Sequence, residues 1–146
     1  TGDIQLTLAQ QIPCSGAVVV TTPQNIALLD AQKGIEMFAK VQIPCLGIIE
    51  NMATHTCSAC GNKDHIFGEH GGQKIAADYQ VPLLGSLPLD PAIRIGCDNG
   101  APVVASMPDS ALAEEFRHIA SMMAIALYKT TLDDNADSPM FSVVDD

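Results

Sequence analysis

Positive charge is scarce in this chain. Seven lysines and arginines stand against 17 aspartates and glutamates, a formal net charge of -10 over 146 residues. Such a balance repels phosphate backbones and anionic lipid. Nucleic acid and membrane surfaces are therefore not expected as partners. Long apolar runs are missing as well. The longest near-uninterrupted one, around Ile119 to Leu127, is about half of the ~20 residues a bilayer span requires, and no transmembrane segment is predicted. No basic segment followed by an apolar one opens the chain, which starts with Thr1-Gly2-Asp3 rather than methionine. A fragment lacking upstream sequence is the expectation.

Two chemical signatures are absent. The phosphate-cradling loop GxxxxGK[ST] does not occur. Its nearest text, Gly68-Glu69-His70-Gly71-Gly72-Gln73-Lys74, has the wrong spacing and lacks the hydroxyl residue after lysine. No Ser/His/Asp set and no carboxylate pair stands at a telling spacing, so the chain alone presents no catalytic residues. A disulfide framework is also lacking. The cysteines number five, and only Cys57 and Cys60 are close in sequence, a pattern that fits a reducing cytoplasm. Cys14 sits just before an apolar run and Cys45 inside another, so both read as small core residues, while Cys97 is undecided.

What is present is an alternation of strands and helices. Ala17–Thr21, Cys45–Ile49 and Leu83–Leu87 are uniformly apolar, as strands covered on both faces are. Between the first two, Leu28, Ala31, Ile35 and Phe38 recur at helical spacing. A short helix over Gln73–Tyr79 leaves room for a second crossover. Asp90-Pro91 is a helix start, with an N-cap acid before proline at the first helical position. Asp109 is placed to cap a longer helix carrying Leu112, Phe116, Ile119, Met123 and Ala126 on one stripe, and Met122 and Met123 read as core. No internal repeat is visible. The expected fold class is α/β, one domain built on a parallel sheet flanked by helices. Residues 130–146 are too acidic and polar to repay ordering and are expected to form a loose tail.

In an open parallel sheet, ligands gather beyond the carboxyl ends of the strands. The residues there are Thr22–Asn25, Glu50-Asn51-Met52 and Pro88-Leu89-Asp90. The second group leads into Cys57-Ser58-Ala59-Cys60-Gly61, in a loop spanning residues 52–70. A Cys-x-x-Cys turn brings two thiolates to one metal centre, and the trailing glycine permits the sharp turn. Two ligands do not complete a site, and a four-iron cluster takes four thiolates. The second pair would come most economically from an identical loop across a two-fold axis, giving a homodimer. A zinc site remains open beside this, since Cys57, Cys60, His65 and His70 have knuckle-like spacing within one chain. A thiol–disulfide motif fits less well, because such a pair opens a helix and Gly61-Asn62-Lys63-Asp64 reads as continuing loop.

Seven strings in register resemble one family. They are Gly2-Asp3-Ile4-Gln5-Leu6-Thr7-Leu8, Val20-Thr21-Thr22-Pro23-Gln24, Lys33-Gly34-Ile35-x-Met37-Phe38, Leu46-Gly47-Ile48-Ile49-Glu50-Asn51-Met52, Cys57-x-x-Cys60-Gly61, Ile66-Phe67-Gly68 and Leu87-Pro88-Leu89-Asp90-Pro91. Together they resemble the C-terminal half of the Mrp/ApbC iron–sulfur cluster carriers, P-loop ATPases of the MinD/ParA (SIMIBI) type, over residues 1–129. The resemblance implies that Cys57 and Cys60 hold a labile 4Fe-4S cluster between two subunits and pass it to apo iron–sulfur proteins. It also implies that Asn51 reads the adenine edge of ATP, with Pro88, Leu89 and Asp90 lying against the base. Gly2 and Asp3 would be the tail of switch II. The family's Walker A loop and the start of switch II have no counterpart here, so phosphates and Mg²⁺ lack a seat. The piece alone is expected not to hydrolyse ATP, and the missing strands would leave a sheet edge open to association.

Overall fold

The computed structural model describes residues 3–136. In chain order these form α1 (Asp3–Gln11), β1 (Ala17–Thr21), α2 (Asn25–Lys40), β2 (Cys45–Glu50), β3 (His55–Thr56), β4 (Lys63–Asp64), α3 (Gly71–Asp78), β5 (Leu83–Ser86), α4 (Pro91–Asp98), α5 (Val103–Ser106) and α6 (Ala111–Ala136). The main sheet has the order β1-β2-β5 and is parallel throughout, while β3 and β4 make a separate antiparallel pair.

The central strand β2 is covered on both faces, as its uniform composition implies, whereas β1 is left partly open on one. On one side Val19 and Ile48 pack with Ala31 and Ile35 of α2 and with Ile75 and Ala76 of α3. On the other, Ile49, Leu84 and Leu87 meet Ile119 of α6, with Phe116, Met122, Met123 and Ala126 around them. Both methionines therefore serve the core. The α6 layer reaches β5 and β2, and Val20 on β1 is left 59% exposed. β1 is thus an edge strand among the described residues.

A six-residue pattern recurs, against the expectation of no internal repeat: Gln11-Ile12-Pro13-Cys14-Ser15-Gly16, Gln42-Ile43-Pro44-Cys45-Leu46-Gly47 and Gln80-Val81-Pro82-Leu83-Leu84-Gly85. Each copy carries the chain from a helix into a strand of the sheet. In the second and third, the glutamine adopts a left-handed conformation, φ 59° and 56°. It closes the helix with paired backbone bonds, Gln42 N–H to Ala39 O and Ile43 N–H to Phe38 O, then Gln80 N–H to Ala77 O and Val81 N–H to Ala76 O. Two orphan carbonyls are satisfied at each helix end, and proline prevents continuation. The copies also lock to one another. Ala17 N–H donates to Pro44 O, and Ile48 N–H donates to Pro82 O, both at 2.9 Å. A Cβ at Gly16 would lie 2.6 Å from Leu46, and one at Gly47 would lie 2.6 Å from Leu84. The glycine of one copy is the socket for the leucine of the next.

Several boundaries differ from the sequence expectation. α3 begins at Gly71 rather than Gln73. The cap of α6 is Ser110, not Asp109: the Ser110 hydroxyl accepts from Ala113 N–H at 3.1 Å. Residues 130–136 belong to α6 instead of a loose tail; the Thr130 and Thr131 hydroxyls donate to the carbonyls of Ala126 and Leu127, four residues back. The remaining part of the expected tail, 137–146, lies outside the described residues. α1, whose Ile4 and Leu8 are exposed, and α5 were not anticipated as helices. No helix of the described residues is long and apolar enough to cross a membrane.

Candidate functional site

The sheet delivers three loops to one end. Beyond β2 the chain turns at Asn51 and Met52, whose φ is 57°, and then rejoins the neighbouring segment. Leu87 N–H donates to Glu50 O at 2.8 Å, Ala53 N–H to Leu87 O at 2.9 Å, and Leu89 N–H to Thr54 O at 2.7 Å. The β2–β5 pairing thus resumes after the turn and runs straight into β3.

β3 and β4 pair in the register His55 with Asp64 and Thr56 with Lys63. The cysteines sit at the tip, which corrects the expectation of a continuing loop. Cys57 N–H donates to Asn62 O, and Gly61 N–H donates to Cys57 O, both at 2.8 Å. Gly61 has φ +74°, a conformation that costs a residue with a side chain and comes free to glycine. The tip is a closed turn presenting a half-buried Cys57 and an exposed Cys60.

Donors in this turn act on the thiols. The backbone N–H of Ala59, then that of Cys60, then the Cys60 thiol hold the Cys57 thiol below its ordinary value, opposed by slight burial and by the Asp64 carboxylate. A thiolate, not a thiol, is the metal ligand and nucleophile, so Cys57 is set up as the first ligand to form. Alkylation of Cys57 should reach half its maximal rate at a pH below the ~8.5 of a free cysteine. Ala59→Pro, which removes the leading donor, should move that midpoint upward; peptide mass mapping across a pH series measures both. The sign follows from a depressed pKa: the turn gains stability as pH rises through the folded value and loses it as pH falls. Cys45 differs, because burial pushes its thiol up.

The histidines do not join the cysteines. His65 Nε2 and His70 Nε2 lie 3.8 and 3.9 Å from the two oxygens of the Glu69 carboxylate. Among the described residues no three His, Cys, Asp or Glu side chains gather closely enough to hold a metal ion. The single-chain zinc arrangement of Cys57, Cys60, His65 and His70 is therefore not assembled. The hairpin register carries β4 back towards the sheet before the histidines are reached.

The expected nucleotide residues fall on both sides of the hairpin root. Asn51 is half-buried, and its Oδ1 accepts from Met52 N–H at 3.0 Å, leaving its NH₂ to donate elsewhere. It borders a cavity of about 500 Å³ with Thr21, Thr22, Ala27, Asp30 and Gly34. Pro88, Leu89 and Asp90 do not line that cavity. Asp90 Oδ1 accepts from Ala92 N–H at 2.7 Å, the N-cap that its position before Pro91 implies. Asp3 opens α1 and is exposed, and Gly2 lies outside the described residues. Cys97 is exposed on α4.

The sequence places Glu50 at the ligand-facing end of β2 but assigns it no role. Its side chain is buried, 4% exposed, and Oε2 accepts from Gly72 N–H at 2.9 Å. The carboxylate thereby ties the end of β2 to the first turn of α3, where a negative charge is favoured. The cysteine loop is strung between these two points. Glu50→Ala should lower stability by about 1–3 kcal/mol, because the Gly72 amide would be left buried without a partner. Urea unfolding would show this as a lower midpoint with an unchanged slope, and Glu50→Gln should lose less.

A family model described as ParA: NUBPL iron-transfer P-loop NTPase matches residues 1–124. The iron-sulfur cluster carrier protein of Pseudomonas fragi is 57% identical over 120 residues, covering 82% of this chain and 42% of that protein. The iron-sulfur cluster transfer protein NUBPL of Mus musculus is 51% identical over 121 residues, 83% of this chain and 38% of its own. The chain thus spans about two fifths of the length of these relatives. A solved structure of a nucleotide-binding protein in complex with ADP from Archaeoglobus fulgidus aligns with TM-score 0.63 and 31% identity, over 77% of this chain and 45% of that one. The cell division ATPase MinD of Pyrococcus furiosus aligns with TM-score 0.60 and 29% identity, over 76% and 43%. The parallel sheet flanked by helices is the architecture of these MinD-like P-loop ATPases.

Proposed function

The chain belongs to the Mrp/ApbC family, the NUBPL iron-transfer branch of the ParA P-loop NTPases, and from that membership we propose that it is the cluster-holding part of an iron–sulfur cluster carrier. The cargo is a labile 4Fe-4S cluster. Cys57 and Cys60 from each of two chains supply its four thiolates, and the cluster passes from this shared site to apo iron–sulfur proteins.

The observation that carries the reading is the hairpin tip: two thiols displayed together, one with a depressed pKa, and no third metal-binding side chain beside them among the described residues. Such a half-site calls for a partner, and an identical one across a two-fold axis is the simplest. Two ligands per chain also suit a carrier, because separating the chains leaves each half too poor in ligands to retain the cluster.

In the complete protein, ATP with Mg²⁺ would govern loading or release. Asn51 would contact the adenine through its free NH₂, and Pro88, Leu89 and Asp90 would lie against the base. The 146-residue chain by itself is expected to show no ATP turnover, since it has no Walker A lysine or amide cradle. Clear turnover by the purified chain would overturn this.

The deciding experiment is anaerobic reconstitution with iron and sulfide, followed by a visible spectrum and a native mass. A broad band near ~400 nm, typical of thiolate-ligated clusters, on a dimer is the expected result. No band, or a cluster on a strict monomer, would overturn the proposal.

A further inference from the structure

We propose that His55 is a positioning residue that makes the cysteine hairpin and the Leu87–Asp90 segment move as one piece, so that a displacement of that segment reaches Cys57 and Cys60. The proposal concerns the site described above and rests on the reading of its two loops as nucleotide contact and cysteine tip.

Three bonds join the hairpin root to this segment. Two are between backbones, Ala53 N–H to Leu87 O and Leu89 N–H to Thr54 O. The third is from a side chain: His55 Nδ1 lies 3.3 Å from Leu89 O. A carbonyl can only accept, so Nδ1 carries the proton. The half-buried ring thus holds the central residue of Pro88-Leu89-Asp90, whose N–H and C=O are both taken by consecutive residues of the hairpin strand.

Both ends of this connection are anchored. Leu87 is buried in the core beneath α6, and Asp90 caps α4, so the segment has little freedom except at Pro88 and Leu89. On the other side, Thr56 is paired with Lys63, and Cys57 N–H is bonded to Asn62 O. His55 and Cys57 are two positions apart along an extended chain, a span of roughly 7 Å. A shift at Leu89 is therefore carried through His55 to the first cysteine within one stiff hairpin. Without the imidazole bond, Leu89 O is released and only the two root bonds remain.

The test is a double-substitution cycle read by cysteine alkylation. Iodoacetamide modification of Cys57 and Cys60, resolved from the other cysteines by peptide mass mapping, would be timed in the parent chain, Leu89→Gly, His55→Phe and the double variant. His55→Phe keeps the ring bulk and removes the donor. Leu89→Gly should change the rate by at least about threefold when His55 is present and by clearly less when it is replaced, a coupling typical of residues in one network. His55→Asn, which restores a short-reach N–H donor, should recover the response. Equal effects of Leu89→Gly in both backgrounds would overturn the proposal. The rate at Cys45, half-buried in the core, reports any general loosening and separates misfolding from uncoupling. The measurement needs no iron, so a failure of cluster binding and a failure of this coupling are read independently.

Discussion

Replacing Cys57 and Cys60 together by serine is expected to leave less than about a tenth of the parent absorbance near ~400 nm after reconstitution, because a hydroxyl does not replace a thiolate as a cluster ligand. The fold should survive the change. Both residues lie at the hairpin tip, outside the two core clusters, and the turn closes through main-chain bonds, Cys57 N–H to Asn62 O and Gly61 N–H to Cys57 O, which serine retains. An unchanged melting profile with no cluster would place the entire loss in ligation. The single variants are informative too. In a bridging site, Cys57→Ser on every chain removes two of four ligands, as does Cys60→Ser, so each should abolish the band nearly as fully as the pair. Parent chains mixed with doubly substituted ones should yield cluster only in parent–parent pairs, and native mass should find none on a mixed pair; a cluster retained by a mixed pair would contradict a site that needs two thiolates from each chain.

Gly47→Ala is expected to be the most damaging conservative substitution in the sheet. The residue has φ +149°, and a Cβ there would lie 2.6 Å from both Leu84 Cγ and the Pro82 carbonyl oxygen. Leu84 is 1% exposed and has nowhere to retreat, and Pro82 O is held by Ile48 N–H. Backbone strain and overpacking together put the cost at roughly 3–5 kcal/mol, a large share of the 5–15 kcal/mol that separates a typical domain from its unfolded state. Loss of cooperative melting, or a fall in denaturation midpoint of that size, is the expected observation. By contrast, Gly34→Ala meets nothing within 4 Å, lies in the interior of α2, and should be neutral or stabilising. The opposite signs at two glycines would show that the effect belongs to the interlocking turn.

Much of this architecture is legible in the residues, and the exceptions have physical causes. β1 spans Ala17–Thr21 as its valine run indicates, and Asp90 caps α4 as Asp-Pro implies, because both signals are local. β3 and β4 are not legible. Each is only two residues long, His-Thr and Lys-Asp, with no apolar alternation, and the hairpin exists because Ala53 and Thr54 pair with Leu87 and Leu89, more than 30 positions away. The spacing of Cys57 and Cys60 suggests a metal site, but whether His65 and His70 stand beside them depends on where those side chains point, which spacing does not fix. The roles of Glu50 and His55 are invisible for a related reason. A buried acid at the end of an apolar run and a lone histidine before a cysteine turn acquire their meaning only from Gly72 N–H and Leu89 O. The six-residue pattern is written plainly in the text, and its purpose appears only when glycine and leucine of successive copies are seen in contact.

That pattern distributes responsibility unevenly among the strands. The first copy offers a glycine but has Ser15 where the others have leucine, and Gly85 of the third receives Ile119 from α6. Only the middle copy contributes both a leucine to one neighbour and a socket to the other, on the one strand of the sheet that is paired along both edges among the described residues. In kinetic terms, β2 is expected to be the nucleus, with β1–α2 closing onto it from before and α3–β5 from after, each through a short sequence separation. Truncations at Leu46 and Ile48 should therefore slow folding nearly in proportion to the stability they remove, giving high φ-values, while Val18 and Val20 on β1 should chiefly affect the rate of unfolding.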